Sequence, residues 1–112
     1  MSGYEWAMRM NCSVTVCDTE GKLIFMNQKS RDTFNHGQDM SGKSMIPCHN
    51  ERSQGIIKNL LETGGTNAYT ILKKGVKKMI YQTAWFKEDG KVGGLVEISM
   101  EIPEEMPHYI RE

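Results

Sequence analysis

The chain has 112 residues, 38% of them hydrophobic and 25% charged, and its 14 basic and 14 acidic side chains cancel to a formal net charge of zero. That length fits one domain with a single modest core. Neutral charge removes the electrostatic case for nucleic acid or an anionic membrane surface, and no apolar run approaches the roughly 18–20 residues of a membrane span.

Residues 3–10 read as a short amphipathic helix with Trp6 and Met10 four apart on one face. It has no core of its own, so it is read as a flanking helix that packs on a sheet or on a second copy of the chain. Ser13–Asp18 alternates apolar and polar residues, the period-two pattern of a half-buried strand. Asp18-Thr-Glu-Gly21 is a turn, because Asp can bond its own backbone and Gly accepts a positive φ. Leu23–Met26 is the returning strand. Asn27 ends it and caps a short, mostly polar helix over 28–35, whose one large apolar residue is Phe34; His36-Gly37 stops that helix.

The clearest helix lies over 50–62. Ile56, Ile57, Leu60 and Leu61 form one apolar stripe, Asn50 or Ser53 is placed to cap it, and Gly64-Gly65 closes it. Three strands follow over 67–73, 77–87 and 93–102, joined by turns at Lys74-Gly75 and Glu88-Asp89-Gly90. The basic run from Lys73 to Lys78 straddles the first of these turns and reads as a solvated hairpin tip. In the second of these strands Met79, Tyr81, Thr83 and Trp85 share one face, and Ile80, Gln82, Ala84 and Phe86 the other. In the third, Val96, Ile98, Met100 and Ile102 oppose Leu95, Glu97, Ser99 and Glu101. Pro103 ends the strand, and 104–112 reads as an exit helix with Pro107 near its start. Two strands, a helical crossover and three strands make one antiparallel sheet with helices on one face, an α+β fold.

This order, with its turn residues, resembles the PAS sensor domains over residues 13–102. Val-Thr-Val-Cys-Asp-Thr-Glu-Gly-Lys-Leu-Ile-Phe-Met-Asn, from Val14 to Asn27, matches that family's strand, Asp-x-x-Gly turn, strand and Asn. Lys87 to Ile102 looks like its closing hairpin. The resemblance implies a five-stranded sheet in the order 2-1-5-4-3, with short helices on one face and a flanking N-terminal helix. It further implies a ligand or cofactor cavity between sheet and helices, dimerisation through flanking helices, and signal transfer to an effector domain or partner protein. It divides the chain into a flanking helix over 1–11, the domain over 12–102 and a C-terminal extension or linker over 103–112.

Flavin photosensors of the light-oxygen-voltage type keep an adduct cysteine in a Gly-x-Asn-Cys-Arg-Phe-Leu-Gln pattern. Here Gly42-Lys-Ser-Met45 places a methionine there, which forms no thiol adduct, so a flavin adduct is disfavoured. Cys48-His49 offers ligands suited to haem iron, zinc or copper. A haem- or metal-binding redox or gas sensor, with His49 as axial ligand and Cys48 as its alternative, is the second functional reading. Adjacent residues rarely reach one ion, however, and a closed zinc site takes about four ligands. Cys48 as a small packed hydrophobe and His49 as a helix cap stay open beside it, and no metal site is assigned.

The candidate binding set is Phe25, Asn27, Phe34, Cys48, His49, Ile57, Tyr69, Tyr81, Thr83, Trp85 and Met100. Aromatic and methionine side chains with a few polar groups, here Asn27, Gln82, Thr83 and Ser99, are what a small organic ligand requires. A filled core would show the same residues, and a one-residue shift in register would exchange the two faces of every strand. No nucleophile motif is present, and paired carboxylates such as Glu104-Glu105 sit in turns or at a helix start, so the chain is read as non-enzymatic. Three cysteines suggest no disulfide framework, and no signal peptide is visible. The leading reading is a cytoplasmic, homodimeric sensory or interaction module that binds a small ligand or partner protein, without nucleic-acid or membrane partners.

Overall fold

The computed structural model describes residues 5–34, 37–44 and 51–112. Among them the elements run α1 (Glu5–Met8), β1 (Ser13–Asp18), β2 (Leu23–Met26), α2 (Gln28–Phe34), α3 (Glu51–Thr63), β3 (Thr66–Lys73), β4 (Val76–Phe86) and β5 (Val92–Glu101). The strands form one sheet in the order β2-β1-β5-β4-β3, every neighbouring pair antiparallel. The order is the expected one, and it puts the last strand in sequence at the centre.

Local chemistry fixes the hairpins. Asp18 Oδ1 accepts the N–H groups of Glu20 and Lys22, each at 2.9 Å, which closes the β1–β2 turn. Between Lys73 and Val76, which pair across β3 and β4, lie only Lys74 and Gly75, at φ 52° and 79°. Positive φ at both central residues is the geometry whose twist matches the flanking strands. At the third turn Asp89 Oδ1 accepts the Lys91 N–H at 2.9 Å.

The apolar stripe of α3 decides which sheet face is covered. Ile57 and Leu60 are buried against Cys17, Leu23, Met26 and Leu95, with Ile56 and Leu61 half-buried beside them. Each such buried Leu, Ile or Met contributes about 1.5–3 kcal/mol relative to exposure. The register carries Ser13, Ile80, Gln82, Ala84 and Ser99 onto this same face, and all five are buried. Val14, Val16, Met79, Thr83, Val96, Ile98 and Met100 point the other way and are half-buried.

Trp85 also lies on that opposite face, and its indole N–H donates to the Cys17 carbonyl at 3.1 Å. This bond reaches across β5 because Gly93 and Gly94 leave room. A Cβ at Gly93 would enter the Trp85 ring, and one at Gly94 would run into the Cys17 carbonyl oxygen. Glycine inside a strand marks such close approach.

Two expectations are corrected. Residues 104–112 form no helix; after the Ile102 N–H donates to the Lys77 carbonyl, the chain continues as exposed, irregular backbone. Pro107 removes a helical donor and restricts the residue before it, and a short segment without an apolar partner does not hold a helix. Of the N-terminal helix expected over 3–10, the described residues form Glu5–Met8 and leave Arg9 and Met10 beyond its end, while residues 3 and 4 lie outside the described residues. The Asn27 amide takes the Ala7 carbonyl at 3.0 Å, an acceptor that a longer helix would need for its own ladder.

Candidate functional site

On the covered face, the register aligns Asn67 of β3, Gln82 of β4 and Glu97 of β5 in one transverse row. Asn67 Nδ2 donates to Gln82 Oε1 at 3.0 Å, and Gln82 Nε2 donates to Glu97 Oε2 at 2.9 Å. Gln82 is 5% exposed, so the two bonds offset the desolvation of a buried amide. The row continues to Thr15 of β1, opposite Glu97. There the Thr15 and Ser30 hydroxyls lie 2.6 Å apart and tie the sheet to α2.

Above one end of this row lies a cavity of about 470 Å³, lined by Arg52, Ser53 and Ile56 from the start of α3 and by Asn67, Tyr69 and Gln82 from the sheet. Burial first, and then the nearby Glu97 charge, push the Tyr69 phenol above its ordinary range. It therefore stays a neutral donor and acceptor at the cavity edge. A guanidinium, two amides, a hydroxyl and a phenol around an isoleucine make a lining that can orient a small polar molecule.

The candidate binding residues are dispersed by the structure. Tyr69 lines the cavity, beside Gln82. Ile57 is fully buried in the core beneath α3. Phe34 is 52% exposed on α2. Phe25 pairs with Val16, while Tyr81, Thr83, Trp85 and Met100 follow the register onto the uncovered face. Thr83 and Thr66 share a hydroxyl–hydroxyl bond of 2.7 Å there. Cys48, His49 and Met45 lie outside the described residues. Among the described residues, no three His, Cys, Asp or Glu side chains gather as a metal site.

Asn27 holds a different post. It is completely buried; its Oδ1 accepts the Val14 and Ser30 N–H groups, each at 3.0 Å, and its Nδ2 donates to the carbonyls of Ala7 and Cys12 at 3.0 and 2.8 Å. Two donors and two lone pairs exhaust a carboxamide. Asn27 is thus the joint between the N-terminal segment, β1 and α2, and has no group left for a ligand.

Arg52, Ser53, Ile56 and Asn67 line the cavity from outside the expected binding set, and Glu97, which does not line it, bonds to Gln82. Glu97 carried a legible signal, a charge between Leu95 and Ser99 on one strand face. Its meeting with Gln82 and Asn67 depends on the register of three strands.

No family model matches the chain, and no curated protein sequence does. Solved structures do. A PAS domain from Colwellia psychrerythraea superposes with a TM-score of 0.66 over 90% of this chain and 94% of that one, at 16% identity. A sensory box sensor histidine kinase from Vibrio cholerae gives 0.64 over 90% and 89%, at 12% identity. The VqmA dimer of Vibrio cholerae, described as shifting conformation in the absence of its target DNA, gives 0.70 at 12% identity. That match takes in 93% of this chain and 54% of VqmA, so the chain spans about half of that protein's length.

Proposed function

From the PAS-domain fold, given by the sheet order and these likenesses, we propose that the chain is a non-enzymatic sensory module that binds a small organic ligand between α3 and the β3–β4 face. The observation that carries this reading is the cavity of about 470 Å³ in which Arg52, Ser53, Tyr69, Asn67 and Gln82 converge. Its volume lies within the range of small-molecule sites.

The relay runs through the Asn27 joint. A ligand that prefers one placement of α3 over another shifts the population of arrangements by its differential affinity, and α2 and the N-terminal segment share Asn27 with β1. Trp6 is 68% exposed on α1, and Tyr81 stands 36% exposed among the half-buried apolar residues of the uncovered sheet face. A second copy covering these groups makes the module a homodimer. No helix among the described residues is long and apolar enough to cross a membrane, and the free Cys12 and Cys17 suit a reducing cytoplasm.

Native mass spectrometry of the purified chain, beside its absorption spectrum, tests the reading. A colourless small molecule, retained in the native spectrum and lost on denaturation or in an Ile56→Trp variant that fills the cavity, is the expected result. A Soret band would replace it with the haem reading centred on Cys48 and His49. Ligand content unchanged by Ile56→Trp would remove this cavity as the site.

A further inference from the structure

We propose a second site, apart from the cavity at α3, that takes a small anion headed by a carboxylate or phosphate group. It is a cavity of about 270 Å³ where the start of β1, α2, the start of β4 and the end of β5 meet. None of its lining residues lines the cavity at α3. The register sets Ser13 of β1 opposite Ser99 of β5, and both serines are buried and line this cavity. Ser13 is 3% exposed, and among the described residues its Oγ is the buried side-chain atom that finds no hydrogen-bond partner. A buried hydroxyl left unpaired is unfavourable, and buried polar groups in folded proteins are nearly always paired. The cavity that Ser13 lines is where its partner comes from.

The charges around the two serines set the sign of that partner. Lys29 of α2 and Lys78 of β4 line the cavity, against one carboxylate, Glu101. Lys29 Nζ spends one donor on the Asn11 side-chain oxygen at 3.2 Å, which leaves two of the three that an ammonium carries. Lys78 belongs to the basic run expected at a solvated hairpin tip, yet it is half-buried and turned to the cavity. Glu101 stands opposite Lys78 in the register, but no ion pair joins them; among the described residues the recorded pair is Arg31 with Asp39. Two ammonium groups against one exposed carboxylate leave the lining net positive and rich in unused donors. Hydrogen bonds from an ammonium to a carboxylate or phosphate oxygen are of the stronger, charge-assisted kind. The volume lies just below the range of drug-sized sites, so the anion is small. Held there, it braces the N-terminal segment, which Asn27 also grips through the Cys12 carbonyl, against the end of β5.

The experiment titrates the whole chain with acetate, inorganic phosphate and acetamide, the neutral counterpart of acetate, at fixed ionic strength. Amide resonances of Ser13, Lys29 and Ser99 report this site, and those of Tyr69 and Gln82 report the other cavity. At least one anion saturates the first set, about tenfold or more tighter than acetamide, the scale of one hydrogen bond to a charged group. The tighter of the two anions identifies the head group. Lys78→Gln weakens that anion by about the same factor. Ser13→Ala weakens it about fivefold while leaving the fold at least as stable, because it removes an unpaired hydroxyl; a merely structural serine would leave the affinity unchanged. The ranking in the unaltered protein needs no variant, so a folding defect in either one does not shield the proposal. Acetamide bound as tightly as the anions, an affinity that survives Lys78→Gln or Ser13→Ala, or shifts at Tyr69 and Gln82 in place of Ser13 overturns the site. Shifts that never saturate and follow the exposed lysines around the surface mean an adventitious ion only, and overturn it as well. So does silence from both anions.

Discussion

Asn27 Nδ2 donates to the carbonyl oxygen of Ala7 at 3.0 Å, fastening a helix outside the sheet to the residue where β2 ends and α2 begins. Asn27→Ala removes four side-chain hydrogen bonds at a fully buried position and strands the Val14 and Ser30 donors. The expected loss is about 2–4 kcal/mol, between one and two unsatisfied buried groups. Urea denaturation measures it. Hydrogen exchange should speed up first at Val14 and Ser30, and an unchanged exchange pattern would contradict the joint.

Two glycine substitutions should move stability in opposite directions. Gly94→Ala forces a methyl onto the Cys17 carbonyl and against the Trp85 indole nitrogen, a shape change of the kind that costs about 1–3 kcal/mol. Trp85 fluorescence should shift with it. Gly55 sits inside α3 with nothing within 4 Å of a Cβ built on it, and its φ is not positive. Gly55→Ala should stabilise the chain by about 0.5–1 kcal/mol. Urea midpoints for both variants decide it.

Stability should fall in alkaline solution. Burial, the largest cause, pushes the Cys17 thiol up, and the neighbouring Asp18 and Glu97 charges add to it against a backbone hydrogen bond from Leu95. The neutral thiol is the form the fold favours. Its contribution is therefore complete below the unfolded thiol pKa of about 8.5 and is lost as pH rises from there toward the higher folded value. Tyr69 acts in the same direction at higher pH. Melting temperatures between pH 7 and 10 should decline, and Cys17→Ala should flatten the earlier part of the decline. Under native conditions a thiol reagent should modify the half-buried Cys12 before the buried Cys17.

The uncovered sheet face gives a test of assembly. Ile98 is half-buried in its middle, paired with Val14 and Tyr81. Ile98→Lys should convert a dimer to a monomer in sedimentation velocity with little change in circular dichroism. A sedimentation coefficient that does not move would place the contact elsewhere.

The hairpins were legible because their turns are local chemistry. Asp18 bonds amides two and four residues on, and Lys74-Gly75 needs only its own two φ angles. The stripe of α3 was legible because helical spacing alone defines it. The choice between the two faces of β4 was not, because Tyr81 and Gln82 make equally regular alternations. The helix that settles it lies elsewhere in the chain. The same holds for the site: Asn67, Gln82 and Glu97 meet only after three strands fall into register. The exit helix failed for the converse reason, a local pattern over 104–112 with no apolar partner to hold it. The role of Gly93-Gly94 was not read from the sequence, because the groups they let approach, Trp85 and Cys17, come from two other strands.

The central place of β5 also governs the order in which the protein can assemble. Both of its neighbours, β1 and β4, are made before it, so until Val92–Glu101 leaves the ribosome the β1–β2 and β3–β4 hairpins each have an open edge and no shared partner. Pairing β1 with β5 closes a loop that spans nearly the whole domain, the kind of non-local step that slows folding. All five strands must be made before the covered face can form. For that interval the nascent chain carries two unprotected strand edges, which makes it a natural client for chaperones.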